Sequence, residues 1–352
     1  MISDLRLQQF RSYADSSFKF GEGVNIIVGP NGSGKTNLLE AVLVVARGAS
    51  YRVNDAELLQ FGTSWLRLDA HVHPSDSVRT MKLVTEPRQA KSYELDGKTY
   101  QRLNSQHLLP VVLFEPNHLQ LLHGAPELRR TYLDDTLEQT IPGYVSYRRN
   151  YRRLLAQRNA LLKRAVAPSV QELFPWNLRL SELGATIARA RMALCETLNE
   201  QLGATYEHIS ESTTKVTIAY HPKFAIDQYE TLLLQKLESH AYEDALRGFT
   251  AYGPHREDFV VSFDGRVADE FASRGETRTA ILALKIIELQ LVEMAHGQIP
   301  ILLLDDVFSE LDNSRRAALV TRLRDRQTFI TTTDADIVGK NFRGANHVIA
   351  LK

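Results

Sequence analysis

Gly29-Pro30-Asn31-Gly32-Ser33-Gly34-Lys35-Thr36 fills the pattern G-x-x-x-x-G-K-[ST] at every fixed position. The octapeptide follows an apolar run, Val24 to Val28, that reads as a strand. It opens Lys35 to Ala46, where apolar residues recur at helical spacing. That context is what phosphate binding requires. The glycines let backbone N–H groups curl around phosphate oxygens at a helix N-terminus, Lys35 reaches the β- and γ-phosphates, and the Thr36 hydroxyl is placed for Mg²⁺. A nucleoside triphosphate, ATP, is the expected ligand.

A triphosphate site also needs a metal carboxylate. Ile301-Leu302-Leu303-Leu304-Asp305-Asp306 supplies one at the end of a fully apolar strand, at the sheet edge where α/β proteins bind ligands. Asp305 is expected to hold Mg²⁺, directly or through water, and with Lys35 and Asp306 makes up the catalytic set. Asp306 either orients the attacking water, as the next residue along the strand, or merely caps the strand end.

Between these motifs the pattern changes twice. Alternating segments from Ile2 to Val28, from Trp65 to His73 and from Val78 to Glu86, with the turn signal Asp96-Gly97, predict an antiparallel sheet. Val111 to Phe114 reads as a short buried strand. Beyond Pro116, the stretches Glu127 to Glu138, Tyr144 to Arg164, Leu178 to Leu202 and Ala225 to Arg247 carry helical spacing, so 116–249 is expected to be a mostly helical insertion. Strands return at Phe259 to Phe263, Ile299 to Leu304, Thr328 to Thr333 and Val348 to Leu351. The 352 residues thus form one head, 1–115 and 250–352, split by the insertion.

Composition narrows the class without naming it. Lys plus Arg equals Asp plus Glu at 42 each, so any polyanionic partner must be met by local charge. The lone Cys195 excludes an internal disulfide and a Cys-based zinc site, reads as a small core residue, and suits a reducing cytoplasm. No signal-peptide core and no membrane-length apolar run is present, so a soluble, cytoplasmic protein with no membrane partner is expected.

Further stretches carry a family resemblance. Phe271-Ala272-Ser273-Arg274-Gly275-Glu276-Thr277-Arg278 resembles the signature motif of ABC-type ATPases in a single-glycine variant, and Ser309-Glu310-Leu311-Asp312 resembles their D-loop. Leu7-Gln8-Gln9-Phe10-Arg11-Ser12-Tyr13 is similar to the first strand of SMC-type heads, which implies that Arg11 lies near the nucleotide. Within that class the chain resembles the RecF family over nearly its whole length. Gly124 to Asp134 carries the family's G-x-P-x-x-R-R-x-[FY]-L-D run, Gly253-Pro254-His255-Arg256 its G-P-H-R, and Asp306 to Asp312 its D-x-x-S-E-L-D. Asn117 departs from the family's usual acid, and Thr331-Thr332-Thr333-Asp334 stands where many ABC proteins have a switch histidine.

The resemblance implies an α/β fold, an ABC-type P-loop ATPase head with a mixed sheet and a helical insertion called lobe II. It implies a homodimer that closes on ATP, in which Ser273, Arg274, Gly275 and Glu276 of one chain meet the nucleotide of the other and Ser309 and Asp312 lie at the interface. It further implies slow, DNA-dependent ATP hydrolysis and DNA binding at duplexes, gaps or single-strand/double-strand junctions. The role would be gap repair, replication restart and SOS induction, with RecO and RecR helping to load RecA.

A candidate DNA surface is legible in the residues themselves. Tyr144 to Arg164 contains Arg148, Arg149, Arg152, Arg153, Arg158, Lys163 and Arg164 and no acid. At ~100° per residue all of these but Arg158 fall within an arc of roughly 160°, with leucines and Tyr144, Tyr147 and Tyr151 opposite. That face is either solvated or phosphate-contacting. Arg129 and Arg130 either touch DNA or brace the insertion against Asp134 and Asp135. His255 and Arg256 are either a structural turn or an interface element. Two other readings fit a P-loop ATPase: the nucleotide-binding subunit of an ABC transporter, and a short SMC-like structural head. The long insertion speaks against the first, and the lack of a heptad array excludes a long coiled coil.

Overall fold

The computed structural model describes residues 1–73, 77–323, 325–334 and 346–352, with the side chains of Ser105, Ser309, Arg322 and Leu323 outside the described set. The chain divides into a first unit, Met1–His118 with Glu288–Lys352, and a second, Leu119–Ile287. In the first unit, β1 (Ile2–Phe10), β2 (Tyr13–Lys19) and β3 (Val24–Val28) lead into α1 (Lys35–Arg47). Then β4 (Trp65–Val72), β5 (Ser77–Val84), β6 (Ala90–Leu95) and β7 (Lys98–Tyr100) extend β2 and β1 into an antiparallel sheet of order β2-β1-β4-β5-β6-β7. Asp96 and Gly97 have φ of 50° and 78°, the left-handed pair that an Asp-Gly hairpin adopts between β6 and β7. β8 (Val111–Phe114) leaves this sheet for another.

The second unit contains α2 (Pro126–Thr140), α3 (Tyr144–Leu162), α4 (Val170–Ser210), β9 (Val216–His221), α5 (Tyr229–Ser239), α6 (Ala241–Arg247), β10 (Asp258–Phe263), β11 (Arg266–Val267) and α7 (Ala268–Phe271). The unit boundary falls inside α8 (Arg274–His296). The chain then adds β12 (Ile301–Asp305), α9 (Val307–Glu310), α10 (Asn313–Leu323), β13 (Thr328–Thr332) and β14 (His347–Ala350) to the first unit. These strands form a parallel sheet of order β14-β3-β13-β12-β8. The mixture of parallel and antiparallel pairing is therefore shared between separate sheets. β12 and β13 are buried along their whole length, as covered parallel strands are. α1 packs against β13, β12 and β8 and also against β1, β4 and β5, which is why Leu38 to Ala46 are all buried.

Two boundaries differ from those expected. The second unit ends at Ile287, not at 249, because β9, a strand inside the region read as helical, pairs antiparallel with β10 from Asp258↔His221 to Phe263↔Val216. The strand at 258–263 is thereby held in a small sheet of the second unit. The helix expected at Leu178 to Leu202 starts at Val170, because Ser169 and Glu172 form a capping box, each side chain bonding the other's backbone N–H. No helix among the described residues is long and apolar enough to cross a membrane.

The second unit is held by buried polar networks. Arg158, fully buried, donates to Asn177 Oδ1, Asp244 Oδ2 and Thr250 Oγ1, each at 2.7 Å. Arg129 does brace this unit, but its carboxylate is Asp258 at 2.7 Å, not Asp134 or Asp135, and Arg130 donates to the Glu257 carbonyl. Asp134 is instead taken by Arg191 and Arg148. His255 is a satisfied histidine of a structural turn: its Nε2–H donates to the Thr250 carbonyl, so Nδ1 accepts from the Tyr151 hydroxyl at 2.8 Å. Burial, with Arg256, Arg130 and Arg191 nearby, lowers its pKa to about 4.

Since an unfolded histidine titrates near its ordinary value of 6.5, the unfolded chain binds a proton between that pH and about 4 while the native protein does not. Stability therefore falls as pH falls through this window, by at most about 3 kcal/mol. His255→Asn is expected to flatten that part of the stability–pH curve measured by urea unfolding. A slope equal to that of the unaltered protein would refute the assignment.

Candidate active site

The loop between β3 and α1 is shaped by close approaches that only glycine allows. Gly34, at φ 96°, forms the left-handed N-cap of α1, and its carbonyl accepts from the Tyr13 hydroxyl at 3.1 Å. A Cβ on Gly29 would stand 2.5 Å from Ser33 Oγ and 2.8 Å from the Leu351 carbonyl. Pro30, Asn31 and Gly32 form the exposed tip. Lys35 is buried, with its ammonium donating to the carbonyls of Gly29 at 2.7 Å and Pro30 at 2.9 Å. Ser33 Oγ is buried without a hydrogen-bond partner inside the loop.

Far apart in sequence, Thr36 and Asp305 meet: Thr36 Oγ1 donates to Asp305 Oδ1 at 3.0 Å. The register β3-β13-β12 puts the ends of these strands side by side, with Thr331 facing Asp305 across the β12–β13 pair. Thr331 Oγ1 donates to Asp305 Oδ1 at 2.7 Å and accepts from the Asp306 N–H at 2.8 Å. A third hydroxyl, that of Tyr51, donates to Asp305 Oδ2 at 3.3 Å. Burial and the neighbouring Asp305 carboxylate push the Tyr51 phenol far above its ordinary range, so it remains a donor.

Sequence reasoning missed Tyr51, for which no local motif exists, and noted Thr331 only as a substitute for a histidine. Asp306 is not the next residue of a strand. β12 ends at Asp305, and Asp306, exposed at φ 51°, is the N-cap residue of α9.

The remaining predicted residues have defined local roles. Arg11 lies in the first unit with the loop and is gripped by buried Glu40 of α1 at 2.9 and 3.1 Å and by the Glu57 carbonyl. Ser273 and Glu276 form a capping box at the start of α8, with Ser273 Oγ accepting from the Glu276 N–H and the Glu276 carboxylate accepting from the Ser273 N–H. Arg274 opens α8 and is exposed, and Gly275 follows it in the first turn. Asp312 caps α10, accepting from the Arg315 N–H at 3.0 Å. Ser309 lies in α9, but its side chain is outside the described residues.

The basic helix needs correction at one position. Arg148 lies on the predicted arc, yet it is buried and paired with Asp135, Glu138 and Asp134 at 2.7, 2.9 and 3.1 Å. Helical phase alone cannot reveal this, because the carboxylates come from α2, which packs alongside α3. Arg149, Arg152, Arg153, Lys163 and Arg164 are exposed. Tyr144 and Tyr151 are buried, and Tyr147 is exposed.

The residues present fit a hydrated Mg²⁺ and a phosphate chain. A hydroxyl and a carboxylate, both hard oxygen donors, stand 3.0 Å apart, and a magnesium ion needs few protein ligands when phosphates supply the rest. The unpartnered Ser33 hydroxyl is a further donor in the cradle.

Comparison with known proteins identifies the family. A family model described as the RecF/RecN/SMC N terminal domain matches residues 1–349. The DNA replication and repair protein RecF of Ruminiclostridium cellulolyticum is 32% identical over an alignment of 357 residues, covering 98% of this chain and 96% of that protein. RecF of Bacillus cytotoxicus is 34% identical over 348 residues, covering 95% and 92%. A solved structure of the recombination mediator protein RecF-ATPrS in the RecFOR pathway superposes with a TM-score of 0.87 at 28% identity, covering 100% of this chain and 97% of that one. A solved SMC head bound to the winged-helix domain of ScpA, at 14% identity and a TM-score of 0.53, shares the fold. With the ABC-type ATPase head built around the Thr36–Asp305 pair, and a match spanning nearly the whole chain, this protein belongs to the RecF family.

Proposed function

We propose that this chain is an ATP-dependent DNA-binding protein of recombinational repair. It binds duplex, gapped or junction DNA as an ATP-sandwiched homodimer and hydrolyses ATP slowly in a DNA-dependent manner. The observation that carries the ATP part is the meeting of Thr36 with Asp305 beside buried Lys35. Thr36 and Asp305 would hold Mg²⁺, directly or through water, and the ion supplies positive charge to the phosphate oxygens when bound. Lys35 exchanges its carbonyl contacts for phosphate oxygens. Thr331, by bonding Asp305 and the Asp306 backbone together, fixes Asp306 where it can orient a water.

The DNA part rests on the family and on the exposed basic residues of α3. By the same family argument the chain acts in the cytoplasm at gaps, in replication restart and SOS induction, alongside RecO and RecR in loading RecA.

Closure on ATP follows from the signature at the start of α8. On this reading Ser273, whose Oγ accepts from the Glu276 N–H within the capping box, offers its O–H, together with N–H groups near Gly275, to a phosphate at the start of α8. A phosphate that gains these ligands only from a second chain favours the dimer by that differential affinity. Ser273→Ala is expected to keep ATP binding by the monomer and to weaken ATP-dependent dimerisation at least tenfold, read by sedimentation with a non-hydrolysable ATP analogue. A dimer of unaltered strength would overturn the arrangement. ATPase rates with and without single-stranded, duplex and gapped DNA test the whole reading, which fails if none of the three alters the rate and none is bound.

A further inference from the structure

A cleft of about 190 Å³ in the second unit is lined, among charged groups, by Glu127, Arg130, Asp134, Arg148, Arg152 and Arg191. At ~30 Å³ per water it holds about six waters, room for one phosphate group with part of its hydration. Its charges are unequally matched. Buried Arg191 and Arg148 share Asp134, and Arg148 also takes Asp135 and Glu138. The direct ion pairs of these carboxylates thus go to two of the four arginines.

Arg130 donates to the Glu257 carbonyl and has no ion-pair partner among the described residues; Arg152, exposed at the mouth, has neither hydrogen bond nor ion pair among them. Partial desolvation in the cleft disfavours the charge of both, and Arg191 repels Arg130 as Arg148 repels Arg152; Asp258 and Glu127 on Arg130, and Asp134, Glu138 and Asp135 on Arg152, offset this only in part. His255, also on the wall, uses both ring nitrogens within the protein and stays neutral. Glu127, exposed, is the remaining acid of the lining.

We propose that this cleft is a phosphate-binding site in which the Arg130 guanidinium from α2 and the Arg152 guanidinium from α3 hold one phosphate group. Two guanidiniums brought in by two helices suit a tetrahedral anion, whose oxygens can serve two forks, better than a planar carboxylate. Arg149 and Arg153 stand exposed on the same helix as Arg152 and extend the positive field outside the cleft. The phosphate comes either from a DNA backbone, in which case the inference rests on the DNA-binding reading above, or from a free phosphate ion.

The test uses the full chain with Arg152→Gln, Arg130→Gln and, as a control outside the cleft, Arg179→Gln. Duplex DNA binding is measured from 50 to 200 mM salt. A DNA phosphate in the cleft predicts that each cleft variant binds about tenfold more weakly and that its log K against log[salt] slope shrinks by about one, with Arg179→Gln unchanged. In a second arm, inorganic phosphate is titrated at constant ionic strength while thermal unfolding is followed. A rise in Tm for the unaltered chain that is lost in Arg152→Gln identifies free phosphate as the ligand. Unaltered slopes together with no Arg152-dependent Tm shift overturn the proposal. Failure of the unaltered chain to bind any DNA instead defeats the DNA-binding reading and leaves the phosphate arm to decide. Arg152 is exposed, so its variant carries the test if Arg130→Gln does not fold.

Discussion

Asp305→Asn is expected to lower ATP hydrolysis by 100-fold or more, about 3 kcal/mol of transition-state stabilisation. The substitution keeps the side chain's shape and an oxygen able to accept from Thr36 and Thr331, so the strand ends stay in register. It removes the negative charge that would hold Mg²⁺ beside the phosphates, and the metal's charge is what offsets that developing on the transferred group. ATP binding should persist through Lys35 and the loop N–H groups, with the magnesium requirement shifted to higher concentration. Steady-state rates across a magnesium titration check this. A loss of less than tenfold at saturating magnesium would mean that Asp305 is a scaffold residue and that the metal is held elsewhere.

Arg158→Leu is expected to destabilise the protein by about 3–5 kcal/mol, because it leaves a buried carboxylate unpaired. Asp244 and Arg158 are both fully buried, and Asp244 Oδ2 has its charge partner in Arg158. Asn177 and Thr250 lose a donor in the same step. The second variant, Arg158→Leu with Asp244→Asn, removes the stranded charge and is expected to recover part of the loss. Urea unfolding of the two variants decides. A single-variant loss below about 1 kcal/mol would show that water reaches Asp244 and that the network is not a closed one.

The nucleotide loop is legible in the sequence because its chemistry is local: eight consecutive residues set the glycine conformations, the lysine and the threonine. The Asp305 strand is equally plain, since a buried parallel strand must be apolar until it surfaces at the sheet edge. The Asp96-Gly97 hairpin follows from the left-handed conformations those residues tolerate. The two boundaries that differ from local pattern have physical reasons. Ser169 and Glu172 announce the start of α4, yet Pro168 and Pro175 obscure it. Val216, Ile218 and Tyr220 alternate as a strand does, but the run is short and flanked by helical sequence, so its pairing with β10 outweighs local pattern.

What the sequence determined by itself was the set of side chains on each face, because helical and strand periodicity fix direction along one element. What only tertiary structure decided was which of those faces met opposite charge. Periodicity set Arg158 apart from the basic arc of α3, and it is indeed buried, whereas Arg148 sits on the arc and is buried too, because α2 brings Asp135 and Glu138 against it. Tyr51 and Thr331 joined Asp305 for the same kind of reason: strand register and loop path carried hydroxyls to it from distant parts of the chain. The energy of a buried charge depends on neighbours within a few ångströms, and those neighbours are set by packing between elements rather than by the order of residues within one.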